Sequence, residues 1–229
     1  YVNERWEDLV RILALESVRG RFLVVGEDLG TVPDGLREAM ERFGILSYRL
    51  FYFEKGPDGL PRPCAEYPRT ALVSSTTHDL PTLAGFWAGR DIEVRREAGI
   101  LNDHAQCEQQ RRQRTEEKLR MIEALVRDGF LPGDFPREAA LWSELTGELH
   151  NAIIGYLMMT PAMLMLLNQE DLTKETEQQN LPGTTWEYPN WRRKMLYTAE
   201  ELRTSPKVRD FARMMRAWME RSGRLSATR

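Results

Sequence analysis

The feature that most constrains the fold is a repeated unit in which a short apolar run ends in a polar loop and a proline then opens a helix. The first unit has the apolar run 22–25 before Pro33, and the second has the run 71–76 before Pro81. Continuous apolar runs of this length are typical of strands buried on both faces of a parallel sheet. Proline suits the first turn of a helix, and Gly44 is placed to end the first of these helices. The sequence therefore predicts βαβα order.

Two further apolar runs, residues 45–53 and 162–167, bring the number of predicted strands to four. Further helices are predicted at the start of the chain, over residues 149–159 and in the C-terminal tail, where Thr198 and Glu201 form a possible capping box. Strands that alternate with helices through right-handed crossovers build either a doubly wound sheet or part of a (β/α)8 barrel. Both folds bind ligands at the carboxyl ends of their strands.

A change in composition divides the chain into three parts. Residues 91–148 are highly charged, and we interpret them as an inserted helical lobe. Residues 1–90 then hold the first strand–helix units with their polar loops, and residues 149–229 hold the last unit and the C-terminal helices. The predicted class is therefore α/β, predominantly helical by residue count, with about four parallel strands and a helical insertion.

Composition excludes several classes of function. Lys and Arg number 32 against 35 for Asp and Glu, so no basic field favours nucleic acid. No apolar run reaches the roughly 18 residues that span a membrane. The two cysteines, Cys64 and Cys107, are too far apart for a CxxC site and fit a cytoplasmic location. Because His104 and His150 lack partners at metal-ligand spacing and no phosphate loop is present, we expect neither metal nor cofactor.

Acidic residues follow two of the predicted strands. Glu27 and Asp28 come after the first, and Asp79, preceded by His78, comes after the third. Carboxylates at one rim are what glycosyl transfer needs, one as a general acid and others to stabilise an oxocarbenium-like transition state. Acidic residues at such junctions also cap helices and favour their positive ends. Spacing alone favours this second, structural explanation.

Three segments of the chain resemble the amylomaltases, glycoside hydrolase family 77. Residues 26–33, Gly-Glu-Asp-Leu-Gly-Thr-Val-Pro, resemble the acid/base motif of that family. Residues 77–87, Thr-His-Asp-Leu-Pro-Thr-Leu-Ala-Gly-Phe-Trp, are similar to the motif around its transition-state-stabilising aspartate. Residues 180–184, Asn-Leu-Pro-Gly-Thr, and 188–194, Tyr-Pro-Asn-Trp-Arg-Arg-Lys, resemble the family near its C-terminus.

The resemblance implies a retaining 4-α-glucanotransferase that moves α-1,4-glucan segments between maltooligosaccharides. It makes Glu27 the general acid and then the base, and Asp79 the carboxylate that hydrogen-bonds ring hydroxyls of the donor sugar. His78 is expected to add a sugar contact. Asp28 either binds substrate or, in the favoured alternative, orients the loop of Glu27. Asn180 either binds a sugar or forms a turn before Pro-Gly.

Aromatic side chains offer further candidates for stacking on glucose rings. Most are expected to be ordinary core, because they lie at apolar positions. The candidates are Phe51, Tyr52, Phe53, Trp87, Trp186 and Trp191.

The family's fold further implies that the four strands are the fifth to eighth of a (β/α)8 barrel, its C-terminal half. The family places its aspartate nucleophile on the strand before that of Glu27, which puts it ahead of Tyr1. The carboxylates of residues 1–26 lie in a predicted helix, so we expect the chain alone to be inactive. It should also need the N-terminal half of the barrel or a second copy to cover its open edges. The alternatives are a non-catalytic glycan-binding fragment and an oligomerising one.

Overall fold

Four short parallel strands lie in one sheet in the order β1-β2-β3-β4, with helices between and around them. The computed structural model of the protein describes residues 6–138 and 142–225. The elements in chain order are α1 (Trp6–Gly20), β1 (Val25–Gly26), α2 (Leu36–Arg42), β2 (Leu46–Leu50), a 3₁₀ turn (Cys64–Glu66), β3 (Ala71–Ser74), α3 (Leu83–Ala88), α4 (Arg90–Glu97), α5 (His104–Arg127), α6 (Gly147–Met158), β4 (Leu164–Leu166), α7 (Gln169–Thr173), α8 (Ala199–Thr204) and α9 (Pro206–Arg221).

The register of the sheet brings the carboxyl ends of its strands to one edge. Gly26 pairs with Ser47, Leu50 pairs with Ser74, and Ser74 pairs with Leu166, all in parallel. Strands adjacent in sequence are adjacent in space, as in consecutive units of a barrel. α-Helices connect β1 to β2 and β3 to β4, whereas β2 and β3 are connected by a loop with one 3₁₀ turn. The predicted α/β class with four parallel strands and a high helix content is confirmed.

The core lies between β2, β3 and the helices α3, α5 and α6. Trp87 and Phe51 are fully buried there, and Tyr156 of α6 packs edge-on against Phe51 with ring centroids 5.5 Å apart. The C-terminal half of α5 contributes Ile122 and Leu125 to the same cluster. The charged helical lobe therefore shares the core of the sheet, while the division into three parts stays a prediction.

The first strand differs from the expectation of a strand buried on both faces. Only Val25 and Gly26 pair as a strand, and Phe22, Leu23 and Val25 are 48, 59 and 40% exposed. The expectation of burial was wrong because β1 is an outer strand with one neighbour, and because α1, which precedes it, has no buried residue. The run 162–167 likewise forms only the three-residue outer strand β4, which is partly exposed.

Both prolines lie in the turn before their helix and not at its first residue, so the predicted starts were two to three residues early. The carbonyl of Pro33 accepts a hydrogen bond from Leu36 N at 3.2 Å, and α2 begins at Leu36. After Pro81, the side chain of Thr82 caps α3 by accepting a hydrogen bond from Gly85 N at 2.9 Å.

Other predicted helix boundaries are confirmed. Gly44 follows α2 with φ of 69°, a conformation that glycine adopts without strain. Thr198 and Glu201 form the capping box at the start of α8. The helix predicted at the start of the chain is present from Trp6 to Gly20, and the residues ahead of Trp6 lie outside the described part of the chain. Within residues 6–138 and 142–225, the helices are all too short or too polar to cross a membrane.

Candidate active site

The loop that follows β3 carries His78 and Asp79 at the carboxyl edge of the sheet. Its turn is fixed from within, because Thr76 Oγ1 donates to the carbonyl of Pro81 at 2.7 Å and Asp79 N donates to Thr77 Oγ1 at 3.3 Å. The carboxylate of Asp79 points outward and stays 45% exposed. The loop thus presents a fixed carboxylate to solvent.

Three of the residues that the sequence singled out lie together here. Asn180 Nδ2 donates to Asp79 Oδ1 at 2.6 Å, and Asn180 N donates to the carbonyl of His78 at 3.1 Å. His78 Nε2 lies 3.4 Å from the same Asp79 oxygen, and its ring centroid is 5.1 Å from that of Trp191. Asn180 holds one oxygen of Asp79. Within the described part of the chain, the other oxygen has no hydrogen-bond donor and is available to a ligand.

The segment that bears Asn180 packs directly on α3. Thr82 Oγ1 donates to the carbonyl of Glu175, and a Cβ atom at Gly85 would lie 2.2 Å from the carbonyl oxygen of Thr176. No side chain fits between the two backbones, so Gly85 is required for this approach. The packing of α3 therefore fixes where Asn180 meets Asp79.

Glu27 and Asp28 are adjacent in sequence but have opposite environments. Glu27 is exposed, whereas the side chain of Asp28 is completely buried. Asp28 Oδ1 accepts from Tyr48 N at 2.8 Å, Oδ2 accepts from Arg37 Nε at 2.8 Å, and Arg49 lies 3.5 Å from Oδ2. Both oxygens are thus occupied by the protein. This geometry supports the alternative in which Asp28 orients the loop of Glu27, and not direct contact with substrate.

Tyr48, which the sequence reasoning missed, lies between the two carboxylate loops. It belongs to β2, the strand between β1 and β3, and its hydroxyl donates to the carbonyl of Thr76 at 3.4 Å. Burial raises the pKa of Tyr48, a hydrogen bond with Ser74 opposes this rise, and the negative charge of Glu27 adds to it. Because neighbouring strands are about 4.8 Å apart, the strands of Glu27 and Asp79 are separated by roughly 10 Å.

A second group that sequence reasoning missed connects the ends of β3 and β4. Asn168 Nδ2 donates to Ser74 Oγ at 2.9 Å and to Ser75 Oγ at 3.0 Å. Ser75 Oγ donates to Asp171 Oδ2 at 2.8 Å, and burial raises the pKa of Asp171 to about 6. The Asn-x-x-Asp spacing at the start of α7 is the available sequence signal, since it is typical of a helix start. The network supports the strand end from which His78 and Asp79 project.

The aromatic candidates separate into two groups. Phe51, Tyr52 and Trp87 are buried and belong to the core, as expected for most of the set. Phe53, Trp186 and Trp191 are exposed, and Trp191 lies against His78. Of these six candidates, only the exposed three therefore have a ring face that a sugar can reach.

Among the residues that the structure describes, no set of three His, Cys, Asp or Glu side chains is arranged to hold a metal ion.

Comparison with known proteins identifies the family. The family model described as 4-alpha-glucanotransferase matches residues 1–199. The chain belongs to this 4-alpha-glucanotransferase family. Two curated 4-alpha-glucanotransferases illustrate the similarity. The one from Haemophilus influenzae is 37% identical over 210 residues, which cover 89% of this chain and 30% of the relative. The one from Mycobacterium tuberculosis is 36% identical over 200 residues, which cover 84% and 26%.

Solved structures agree with this assignment. The crystal structure of amylomaltase from Corynebacterium glutamicum matches with a TM-score of 0.82 and 29% identity over 94% of this chain and 32% of that one. Amylomaltase from Streptococcus agalactiae, solved in complex with acarbose, matches with a TM-score of 0.53 at 14% identity over 89% of this chain and 33% of that one, which shows the shared fold. The chain spans between about a quarter and a third of the length of these family members. A four-stranded portion of a barrel fits these matches.

Proposed function

We propose that this chain contributes the acid/base and the transition-state-stabilising carboxylate of a 4-α-glucanotransferase that transfers α-1,4-glucan segments between maltooligosaccharides. The observation that carries the proposal is the cluster of Asp79, His78 and Asn180 at the carboxyl edge of the sheet, two strands from Glu27. Family membership supports the reaction class.

In the proposed mechanism, Glu27 protonates the glycosidic oxygen of the leaving segment and later takes the proton of the acceptor sugar's hydroxyl. Its exposure is compatible with both steps, because leaving group and acceptor each have to reach it. Asp79 accepts hydrogen bonds from ring hydroxyls through the oxygen that Asn180 does not occupy. His78, beside it, would add a further hydrogen bond to the sugar.

A retaining reaction also needs a carboxylate nucleophile, which attacks the anomeric carbon and is released when the acceptor oxygen replaces it. We propose that this carboxylate comes from a part of the enzyme outside these 229 residues, and that the chain alone is inactive. Glu7, Asp8 and Glu16, the carboxylates described ahead of β1, all lie on α1, where each of them pairs with an arginine of the same helix.

The proposal is tested with a polypeptide of the relatives' full length that contains this chain. It should disproportionate maltotriose into glucose and longer products, and Glu27→Gln should reduce the rate by several orders of magnitude. Glu41→Gln, which removes an exposed carboxylate on α2, serves as the matched control and should leave the rate unchanged. Activity that survives Glu27→Gln contradicts the acid/base assignment.

A second candidate is a non-catalytic unit that binds glycans or oligomerises. The exposed apolar residues on α1 and near β1 favour contact with further polypeptide. Glycan binding predicts saturable affinity for maltooligosaccharides that Asp79→Ala abolishes, whereas simple oligomerisation is indifferent to sugar. The cytoplasmic location expected from the cysteines stays a prediction, and Cys64 and Cys107 are both free thiols.

A further inference from the structure

A cavity of about 510 Å³ opens beside Asp79, between the loop after β2, the start of α3 and the helical lobe. Asp79 forms part of its wall, so the cavity continues directly from the candidate active site. Its volume falls within the roughly 300–1,000 Å³ of small-ligand sites. The far wall is built by α4 and α5, the helices of the lobe to which the sequence assigned no role.

The floor of the cavity is a rigid stack of planar groups. The rings of Tyr52 and Phe86 stack with centroids 4.3 Å apart, and the guanidinium of Arg114 lies 3.6 Å from the centroid of Phe86. Arg114 is held by two parallel hydrogen bonds of 2.8 and 2.9 Å to Asp91 and by a further one to the carbonyl of Phe86. Bidentate pairing fixes both side chains, so the floor is preorganised.

The rim combines an exposed ring with a weak ion pair. Phe53 is 51% exposed at the mouth, and Lys55 Nζ lies 3.5 Å from Glu117 Oε1 across it. Lys55 belongs to the loop after β2 and Glu117 to α5, and their side chains are 39 and 34% exposed. An exposed pair at this distance contributes only about 0–1 kcal/mol. Glu117 Oε2 also lies 3.6 Å from Arg114 Nε, so it is Oε1 of Glu117 and the ammonium of Lys55 that can exchange their contact for hydrogen bonds to a ligand.

The charges of the wall indicate the chemistry of the ligand. Three cations, Lys55, Arg95 and Arg114, are balanced by three anions, Asp79, Asp91 and Glu117. A balanced wall does not favour a phosphate or another anion. It fits a neutral ligand that has apolar faces for Phe53 and many hydroxyl groups for the charged side chains, which is the character of a glucosyl residue.

We propose that this cavity is a glucosyl-binding subsite for the glucan chain that extends from the residue held at Asp79, with Lys55 and Glu117 binding its hydroxyl groups. The inference rests on the proposed function and gives the helical lobe a role in chain-length preference. Short substrates that occupy only the sites next to Asp79 do not reach the subsite. Longer substrates gain the additional contacts, which lower KM.

The test compares maltotriose with maltoheptaose as donor, in the full-length protein that contains this chain. We expect Glu117→Ala and Lys55→Ala each to lower kcat/KM for maltoheptaose about three- to tenfold through KM, as for a lost hydrogen bond of about 1 kcal/mol. For maltotriose, kcat/KM should change by less than about twofold in both variants. Glu117→Gln, which keeps hydrogen-bonding capacity, should retain most of the preference for the longer donor.

The matched control is Glu116→Ala, which removes a neighbouring carboxylate that is 64% exposed and does not line the cavity. Glu116→Ala should leave kcat/KM unchanged for both maltotriose and maltoheptaose. If the wild-type enzyme is active and the ratio of the two kcat/KM values stays unchanged in Glu117→Ala and Lys55→Ala, the subsite is refuted while the proposed function stands. Absence of transfer by the wild-type enzyme refutes both.

Discussion

Replacing Asp171 by asparagine should change how the stability of the chain depends on pH. Burial raises the pKa of Asp171 from 3.8 to about 6 in the folded protein, whereas the unfolded chain returns it to its ordinary value. The folded state therefore binds more protons than the unfolded state between pH 4 and pH 6, and stability falls as pH rises through this window. At 1.36 kcal/mol for each pKa unit, the loss amounts to about 3 kcal/mol.

Asparagine has the shape of the protonated acid and carries no charge. Its side-chain oxygen can still accept from Ser75 Oγ and Asn168 N, which contact Asp171 Oδ2 at 2.8 and 3.2 Å. The substitution leaves the negative charge of Glu170 in place, which makes the last and smallest contribution to the raised pKa of Asp171. The difference in unfolding free energy between variant and wild type should thus move by about 3 kcal/mol in favour of the variant between pH 3.5 and pH 7.

Urea unfolding at several pH values, followed by circular dichroism, measures this difference. Glu41→Gln, at an exposed carboxylate, is the control and should show no comparable change. A difference between Asp171→Asn and wild type that stays constant from pH 3.5 to pH 7 contradicts the reasoning, because it means that Asp171 is ionised to the same extent in both states.

Two further predictions concern packing and charge. Gly155→Ala on α6 places a Cβ atom 2.3 Å from the ring of Trp218 on α9 and should lower the unfolding free energy by about 1–3 kcal/mol, whereas Gly147→Ala on the same helix meets no atom within 4 Å and should not destabilise. Asp28→Asn removes the buried carboxylate that pairs with Arg37 and should lower the free energy of unfolding in urea by about 1–3 kcal/mol. An unchanged urea midpoint argues against a stabilising role of this ion pair.

Local sequence signals predicted the strands and several helix ends because the responsible forces act over a few residues. The capping box at Thr198 and the glycine at position 44 needed only nearby backbone groups to be satisfied. The exposure of Phe22, Leu23 and Val25 was not predictable in this way. An apolar run shows that a segment avoids water, but the number of neighbouring strands depends on the rest of the fold.

The candidate site was predictable in part, and mainly through motifs. Asn180 was singled out, yet its hydrogen bond to Asp79 joins residues 101 positions apart and has no local signal. The contrast between exposed Glu27 and buried Asp28 depends on Tyr48 and Arg37, which approach from other elements. Adjacent acidic residues look alike in sequence, and only the tertiary partners distinguish a possible catalyst from a support.

The outer strands of the sheet lead to a last prediction, on association. β1 and β4 each have one neighbouring strand, and the apolar residues near them are exposed, as are those of α1. Parallel sheets are normally covered on both faces, so this surface is suited to contact with further polypeptide. The chain alone should therefore associate, and Ile12→Lys combined with Leu15→Lys on α1 should weaken this association in sedimentation experiments.

The control adds the same charge elsewhere, with Gln109→Lys and Gln113→Lys on the exposed side of α5. It separates general repulsion between molecules from the loss of one apolar contact surface, because only the α1 variant removes apolar area. Ile12 and Leu15 are 58 and 57% exposed, so their replacement should leave the circular dichroism spectrum unchanged. A stable monomer of the unaltered chain with native helix content contradicts the argument, since it shows that the open edges need no cover.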